Sequence, residues 1–390
     1  VGSEMCIRDR FGALAPCSLA KGDTLSSIMA ESSSMGPQAT EAQPRLVERI
    51  RDEILAAPQR RITFARFMQR ALTEPELGYY ASSATRPTRE GDFLTAPELH
   101  PFFGRCLGRF VAAAVDASGS APFRVLEYGA GRGTLRDDAT HGLGFNVDWV
   151  RMDLPARSDA PGGPADLVLA NEFLDALPVH RLIQRDELLE AYVTWDHGFA
   201  ETLGPPSTPA LAAYLGAEDV RLAEGQRADV CLLAPEWLRD VARDLAPSGV
   251  VLVIDYGHDA VELYGPRRMA GSLLTYRQQQ VGDDPFCAVG HTDITAHVDI
   301  TALERAAADA GLALLGSSTQ GEFLTRLGLG EMLAELGRRT DVDARAYLEA
   351  RSSVARMLDP RHLGGFRVLA WARPLGDGGV PQLPGFSDTL

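Results

Sequence analysis

The spacing of apolar residues divides the chain into segments with different periods. Between residues 46 and 55, and again between 64 and 72, apolar positions recur every three or four residues and predict helices, with Thr63 as the N-cap of the second. Residues 102–115 carry the same period and predict a third, amphipathic helix. Residues 123–127, 165–170 and 250–256 are instead short apolar runs, each preceded by glycine or proline. Such runs are what parallel strands buried on both faces require. Residues 302–310 predict a helix ending at Gly311, a residue suited to a left-handed cap, and 366–372 predict a last strand. The stretches 78–80 and 91–98 break both periods and read as loops. No internal repeat is present. Helices interleaved with doubly buried strands predict an α/β fold with a parallel sheet.

Residues 1–44 show no period and are rich in Ser, Gly, Ala and Pro, so a disordered leader is expected there. Its first ten residues match nothing downstream and read as a non-native extension, with Met29 or Met35 as the expected start. One folded domain is expected over 45–375, followed by a flexible tail over 376–390. The chain has 390 residues, 45% hydrophobic and 23% charged, in the range of globular proteins. No apolar stretch reaches the length of a membrane span. The net charge of −15 argues against nucleic-acid binding. Lys21 is the one lysine, so the basic residues are almost all arginine. Five scattered cysteines without a C-x-x-C pair read as reduced thiols, in keeping with the cytoplasm.

The candidate chemistry sits just beyond the strands. Residues 123–127 end in Glu127, and the loop that follows carries Gly129, Gly131 and Gly133 at every second position. Alternating glycines let a backbone turn tightly and approach a ligand. A dinucleotide fingerprint needs G-x-G-x-x-G, whereas here Thr134 holds the third glycine position. An acidic residue two places before the loop suits a ligand bearing an ammonium group, such as the methionyl end of S-adenosylmethionine. Dinucleotide binding and a plain structural turn remain open on this segment alone. Beyond the second apolar run lie Asn171, Glu172 and Asp175, and two carboxylates so placed can clamp a guanidinium. Capping of the next helix is the competing reading for Asn171 and Asp175. The third run ends in Asp255, so three strands deliver a carboxylate to one sheet edge, where open α/β sheets bind ligands. His291 and His297 are not at metal-ligand spacing, and no metal is expected. Neither a G-x-S-x-G elbow nor a Walker A loop is present, which removes the motif basis for hydrolase or kinase chemistry.

Taken together, several motifs resemble the MidA-like (NDUFAF7) family of class I S-adenosylmethionine-dependent protein arginine methyltransferases, which includes a mitochondrial complex I assembly factor. They are Pro75-Glu-Leu-Gly78-Tyr79-Tyr80, Gly91-Asp92-Phe93-Leu-Thr95-Ala-Pro97-Glu98, the glycine loop from Glu127 to Leu135, Asn171-Glu172-Phe173-Leu-Asp175-Ala-Leu-Pro178, Asp255-Tyr256-Gly257, Asp293-Ile-Thr295-Ala-His297-Val-Asp299 and Gln320-Gly-Glu-Phe323-Leu324. They span roughly residues 60 to 373 in family order. The resemblance implies a Rossmann-like class I sheet with helices on both faces, an N-terminal helical segment and S-adenosyl-L-methionine as cofactor. Within it, Gly129, Gly131 and Gly133 approach the methionyl part with Glu127 near its ammonium, Asp92, Thr95 and Glu98 close over the cofactor, and Asp255 lies at its site. Asn171, Glu172 and Asp175 are the implied catalytic residues, facing the methyl group and an incoming arginine nitrogen. The implied partner is a protein substrate, a respiratory complex I subunit or its bacterial relative. The implied location is the bacterial cytoplasm, or the mitochondrial matrix in a eukaryote.

One departure from that pattern stands out. Asn171 follows Gly133 after only 38 positions, room for one crossover where a class I domain has several, each of about 30 residues. The second and third strands of the sheet are therefore expected to be missing, with residues 147–150 at most a remnant edge strand. Strand 123–127 would then be a bare edge, and cofactor binding would be weakened. Asp148 and Asp153 are poor substitutes for the family's ribose-binding acid. A non-catalytic assembly protein is the alternative this departure supports. A nicotinamide-dependent oxidoreductase is disfavoured by the glycine spacing.

Overall fold

Six strands hydrogen-bond into one sheet, in the order Ala313–Thr319, Arg367–Ala372, Leu245–Asp255, Ala165–Asn171, Phe123–Tyr128, Val147–Met152. The structure is a computed structural model that describes residues 42–81, 95–152, 163–278, 280–376 and 379–387. The last four strands in this order run parallel, and Arg367–Ala372 is antiparallel to both of its neighbours. Strand periodicity sends alternate side chains to opposite faces. Val125, Leu167, Leu169, Val250, Leu252 and Ile254 join one core, against helix Phe102–Ser118 and the C-terminal helices. Ala165, Val168, Ala170, Val251 and Val253 join a second core, against helices Leu233–Arg243 and Ile300–Asp309. Both faces of Ala165–Asn171 are thus covered, and all of its residues are buried. Each large apolar side chain so buried contributes about 1.5–3 kcal/mol. The α/β class expected from the sequence is the class observed.

The expected loss of two strands is corrected for one of them; among the described residues no strand lies beyond Val147–Met152 in this sheet. Val147–Met152 pairs in parallel with Phe123–Tyr128 along its whole length, so the first strand is not a bare edge. The crossover fits because its helix, Thr134–Thr140, is only seven residues long. The new edge strand exposes Asp148 and Arg151, charges that discourage edge-to-edge pairing. The expected flexible tail is corrected as well. Within 379–387, Leu383 is buried and Phe386 packs on the Phe110–Phe323 cluster, its ring lying where any side chain at Gly316 would stand.

A second, antiparallel sheet joins Arg61–Thr63, Leu188–Trp195, His180–Gln184 and Arg227–Val230, with Phe199–Gly204 on Leu188–Trp195. All but Arg61–Thr63 come from the chain between the strands Ala165–Asn171 and Leu245–Asp255. Helices Pro44–Ala56 and Phe64–Thr73 bury Leu46, Ile50 and Phe67 with Val179, Val193, Ile294 and Ala296. As expected, Thr63 caps the second of these, accepting from the Arg66 N–H at 3.1 Å. The chain then folds back, with the Tyr79 and Tyr80 N–H groups bonded to Ala71 and Leu72 at 3.0 and 2.9 Å. That return delivers Tyr80 to the carboxyl edge of the main sheet. Among the described residues no helix is long and apolar enough to cross a membrane.

Candidate active site

The carboxyl edge of the parallel strands gathers most of the residues singled out from the sequence. At the end of Phe123–Tyr128 the glycine loop turns through three left-handed residues, with φ of 69° at Gly129, 50° at Gly131 and 76° at Gly133. The Gly129 N–H is bonded to the Met152 carbonyl at 3.0 Å, tying the loop to the edge strand. A Cβ at Gly129 would stand 3.1 Å from that of Phe173, so the loop can lie against the Asn171 turn only without a side chain there. A Cβ at Gly131 would have no neighbour nearer than 4.0 Å, leaving the crest of the loop open. Glu127, 3% exposed, accepts a hydrogen bond from the Trp149 indole N–H at 2.7 Å.

Two further acceptors face this region. Glu98, in the one-turn helix Ala96–Leu99, has Oε1 at 3.8 Å from Nε of Arg132 on the glycine loop, while its buried Oε2 has no partner among the described residues. Burial raises its pKa above the ordinary value. Asn171, 8% exposed, closes its strand and leaves Oδ1 buried and without a partner among the described residues. Buried acceptors without donors are rare in native proteins, and they are what an ammonium group satisfies. The methionyl half of S-adenosylmethionine therefore fits the residues present. On the ribose side Asp148 is already paired with Arg124 at 3.1 Å, and Asp153 lies outside the described residues. Arg151 instead lies over Gly133.

Next to Asn171, Glu172 adopts φ 51°, a left-handed conformation that disfavours any residue with a Cβ. Its Oε1 accepts from the Ala96 N–H at 3.2 Å and from Asn171 Nδ2 at 3.3 Å. Burial pushes the carboxyl up to about 8, helped by the charges of Asp255 and Glu98. Asp175 is raised well above its ordinary value, first by burial and then by Asp255, Asp293 and Glu172. Asp255 sits underneath, 1% exposed. Its oxygens accept the N–H groups of Phe173 at 3.1 Å, Leu174 at 2.8 Å and Tyr256 at 2.8 Å. Through these bonds it staples the Glu172 turn. Burial still pushes it up to about 6 against the lowering effect of those bonds. Thr95 lies at the N-cap position of Ala96–Leu99 without a side-chain cap bond. Asp92 falls outside the described residues.

Sequence reasoning missed the far wall of the site. Tyr80 donates its hydroxyl to Asp293 Oδ1 at 2.7 Å, and Asp175, Asp293 and Tyr256 are close enough to raise the Tyr276 pKa. The signal for Tyr80 and Asp293 was present only as membership of motifs with no chemistry of their own.

The family model described as "Putative S-adenosyl-L-methionine-dependent methyltransferase" matches residues 138–318. A solved structure from Burkholderia thailandensis, titled a "likely methyl transferase" and bound to S-adenosyl-homocysteine, is 32% identical with TM-score 0.79, covering 90% of this chain and 97% of that one. This chain belongs to that methyltransferase family. A native structure of a COG1565 superfamily protein from Burkholderia thailandensis is 30% identical with TM-score 0.75, covering 92% of this chain and 98% of that one. The curated relatives include Protein arginine methyltransferase NDUFAF7, mitochondrial, of Mus musculus, 29% identical over 336 residues (70% of this chain, 72% of the relative). The Drosophila melanogaster homolog is 28% identical over 387 residues (83% and 84%). The methyltransferase uses S-adenosylmethionine, and its glycine loop and the Asn171–Asp175 turn lie at the sheet edge where a class I fold binds it.

Proposed function

We propose that this methyltransferase transfers a methyl group to a guanidinium nitrogen of an arginine in a protein substrate. The observation that carries the reading is the set of carboxyl groups at the Asn171–Asp175 turn, where Glu172 and Asp175 are held far above their ordinary pKa values. Carboxyl groups crowded out of water are a receptor for a cation, and two of them match the fork of a guanidinium. The names of the mouse and fruit-fly relatives point the same way. A subunit of respiratory complex I, or its bacterial counterpart, is the substrate the family resemblance suggests. The cytoplasm of a bacterium, or the matrix of a mitochondrion, is the corresponding location.

In this mechanism Glu98, Glu127 and Asn171 hold the ammonium end of the cofactor, and the glycine loop admits its backbone-facing side. The bound cofactor supplies a methyl group on a sulfonium centre. Glu172 and Asp175 orient the guanidinium, and its arrival favours their ionised forms. As the nitrogen–carbon bond forms and the carbon–sulfur bond breaks, the nitrogen loses a proton, which the Glu172 carboxylate accepts and passes to water. The Asp255 bonds to residues 173 and 174 keep Glu172 from swinging away.

The test has two arms. Calorimetric titration with S-adenosylmethionine, beside Gly131→Arg, checks the cofactor cradle; binding lost in the variant supports it, and no heat from the folded wild type overturns it. Incubation with methyl-labelled cofactor and matched arginine and lysine peptides checks the acceptor. Methylarginine from the first peptide alone is the expected product, and methyllysine, or no methylated residue, overturns the proposal.

A further inference from the structure

The segment 296–298 bridges the two halves of the acidic site. The Ala296 N–H is bonded to the Asp175 carbonyl at 2.9 Å and the Val298 N–H to the Tyr256 carbonyl at 2.9 Å, so His297 stands between the Asp175 turn and Tyr256. Its ring meets the Tyr256 ring edge-on at 4.3 Å between centroids. Its Nδ1 lies 3.3 Å from an Arg268 terminal nitrogen, and the other terminal nitrogen of Arg268 lies 2.8 Å from Nε2 of His258. A guanidinium only donates, so both of these ring nitrogens must be acceptors. His258 then carries its proton on Nδ1, which faces Glu262 at 3.0 Å. His297 carries its proton on Nε2, and that atom is buried with no partner among the described residues. Burial and the Arg268 charge push the His297 pKa down to about 3, so the ring stays neutral and the tautomer is fixed.

A buried donor of fixed direction beside a cation-binding slot calls for an acceptor brought in from outside. We propose that His297 is a substrate-positioning residue whose Nε2–H receives a main-chain carbonyl of the segment bearing the target arginine. The inference rests on the guanidinium reading of Glu172 and Asp175. A main-chain carbonyl is the acceptor that a peptide brings beside its arginine side chain, and a ring N–H can only donate to it. The donor thereby selects a peptide-borne arginine over a small guanidine.

Binding of two probes to the full chain, saturated with S-adenosylhomocysteine, tests this. Ethylguanidine carries the cation alone; Nα-acetyl-L-arginine amide adds the carbonyls. Wild type is expected to bind the second about three- to tenfold more tightly, the range of one hydrogen bond. His297→Phe should abolish that preference and leave ethylguanidine unchanged, while His297→Gln, whose amide nitrogen falls near Nε2, should retain it. A folded His297→Phe protein that keeps the full preference overturns the assignment. Loss of ethylguanidine binding in His297→Phe also overturns it, since that marks a general structural role. If neither probe binds wild type, the guanidinium reading itself fails and takes this inference with it.

Discussion

Glu172→Gln should stabilise the fold while removing methyl transfer, by an amount that depends on pH. In the folded protein the Glu172 carboxyl is pushed from its ordinary 4.5 up to about 8. The native state therefore binds more protons than the unfolded state between those values, and wild-type stability falls as pH rises through them. Below 4.5 the group is protonated in both states and the penalty vanishes. Each pH unit inside the window removes about 1.4 kcal/mol, so the penalty reaches about 3 kcal/mol at pH 7 and levels off above pH 8. Glutamine keeps an oxygen for the Ala96 and Asn171 donors but has no charged form. The difference between variant and wild type thus reports this ionisation together with its electrostatic coupling to Asp175 and Asp255. The assay is urea unfolding of each at pH 5, 7 and 8.5 without ligand. The expected advantage of Glu172→Gln is under about 1 kcal/mol at pH 5 and about 3 kcal/mol or more at pH 7 and above. An advantage independent of pH, or one that shrinks as pH rises, would refute the account of Glu172 as a carboxyl strained by burial. The same variant should lose about 10²- to 10⁴-fold in methyl transfer if Glu172 accepts the nucleophile's proton.

Three further outcomes follow from single contacts. Trp149→Phe removes the 2.7 Å donor to buried Glu127 and should lower stability by about 1–3 kcal/mol and weaken S-adenosylhomocysteine binding; unchanged values for both in denaturation and calorimetry would separate Trp149 from the cofactor wall. Tyr80→Phe, which removes the 2.7 Å hydroxyl from Asp293, should lose a similar amount of stability in the same unfolding assay. Gly316→Ala forces the Phe386 ring off its seat and should cost about 1–3 kcal/mol; in Phe386→Ala the same glycine change should be far milder, and strict additivity in thermal melts would show that the tail is not docked there.

What the sequence made legible depended on how completely each element is buried. Ala165–Asn171 and residues 250–255 are covered on both faces, so their apolar runs are unbroken and were found. The edge strand Val147–Met152 was legible only as a remnant over 147–150, because it interleaves Asp148 and Arg151 with Val147, Trp149 and Val150. The antiparallel strands His180–Gln184 and Phe199–Gly204 are short and half-buried, with little apolar contrast. The site was legible as a list and not as a set of roles. Glu127, Glu172 and Asp255 all follow apolar runs, yet Glu127 accepts from the Trp149 indole, Glu172 accepts from Ala96 and Asn171, and Asp255 lies beneath, holding backbone N–H groups. A carboxylate placed to meet a ligand and one that meets its own backbone both stand just past an apolar run.

That division of labour explains why Glu172 can persist in a left-handed conformation. Holding a non-glycine residue there costs on the order of 1 kcal/mol or more, and a buried high-pKa carboxyl adds to it. Asp255 is placed to hold that conformation. With three backbone donors on its oxygens, relaxing the turn at 172 would leave a carboxylate at 1% exposure with fewer partners. Breaking bonds to a buried charge is dearer than keeping one residue strained. Asp255→Asn should therefore act through Glu172. It should flatten the pH dependence of Glu172→Gln relative to its own background as the turn relaxes and Glu172 reaches water. An Asp255→Asn protein in which the Glu172→Gln advantage at pH 7 remains about 3 kcal/mol would mean that the turn holds itself and that Asp255 is only a passive part of the core.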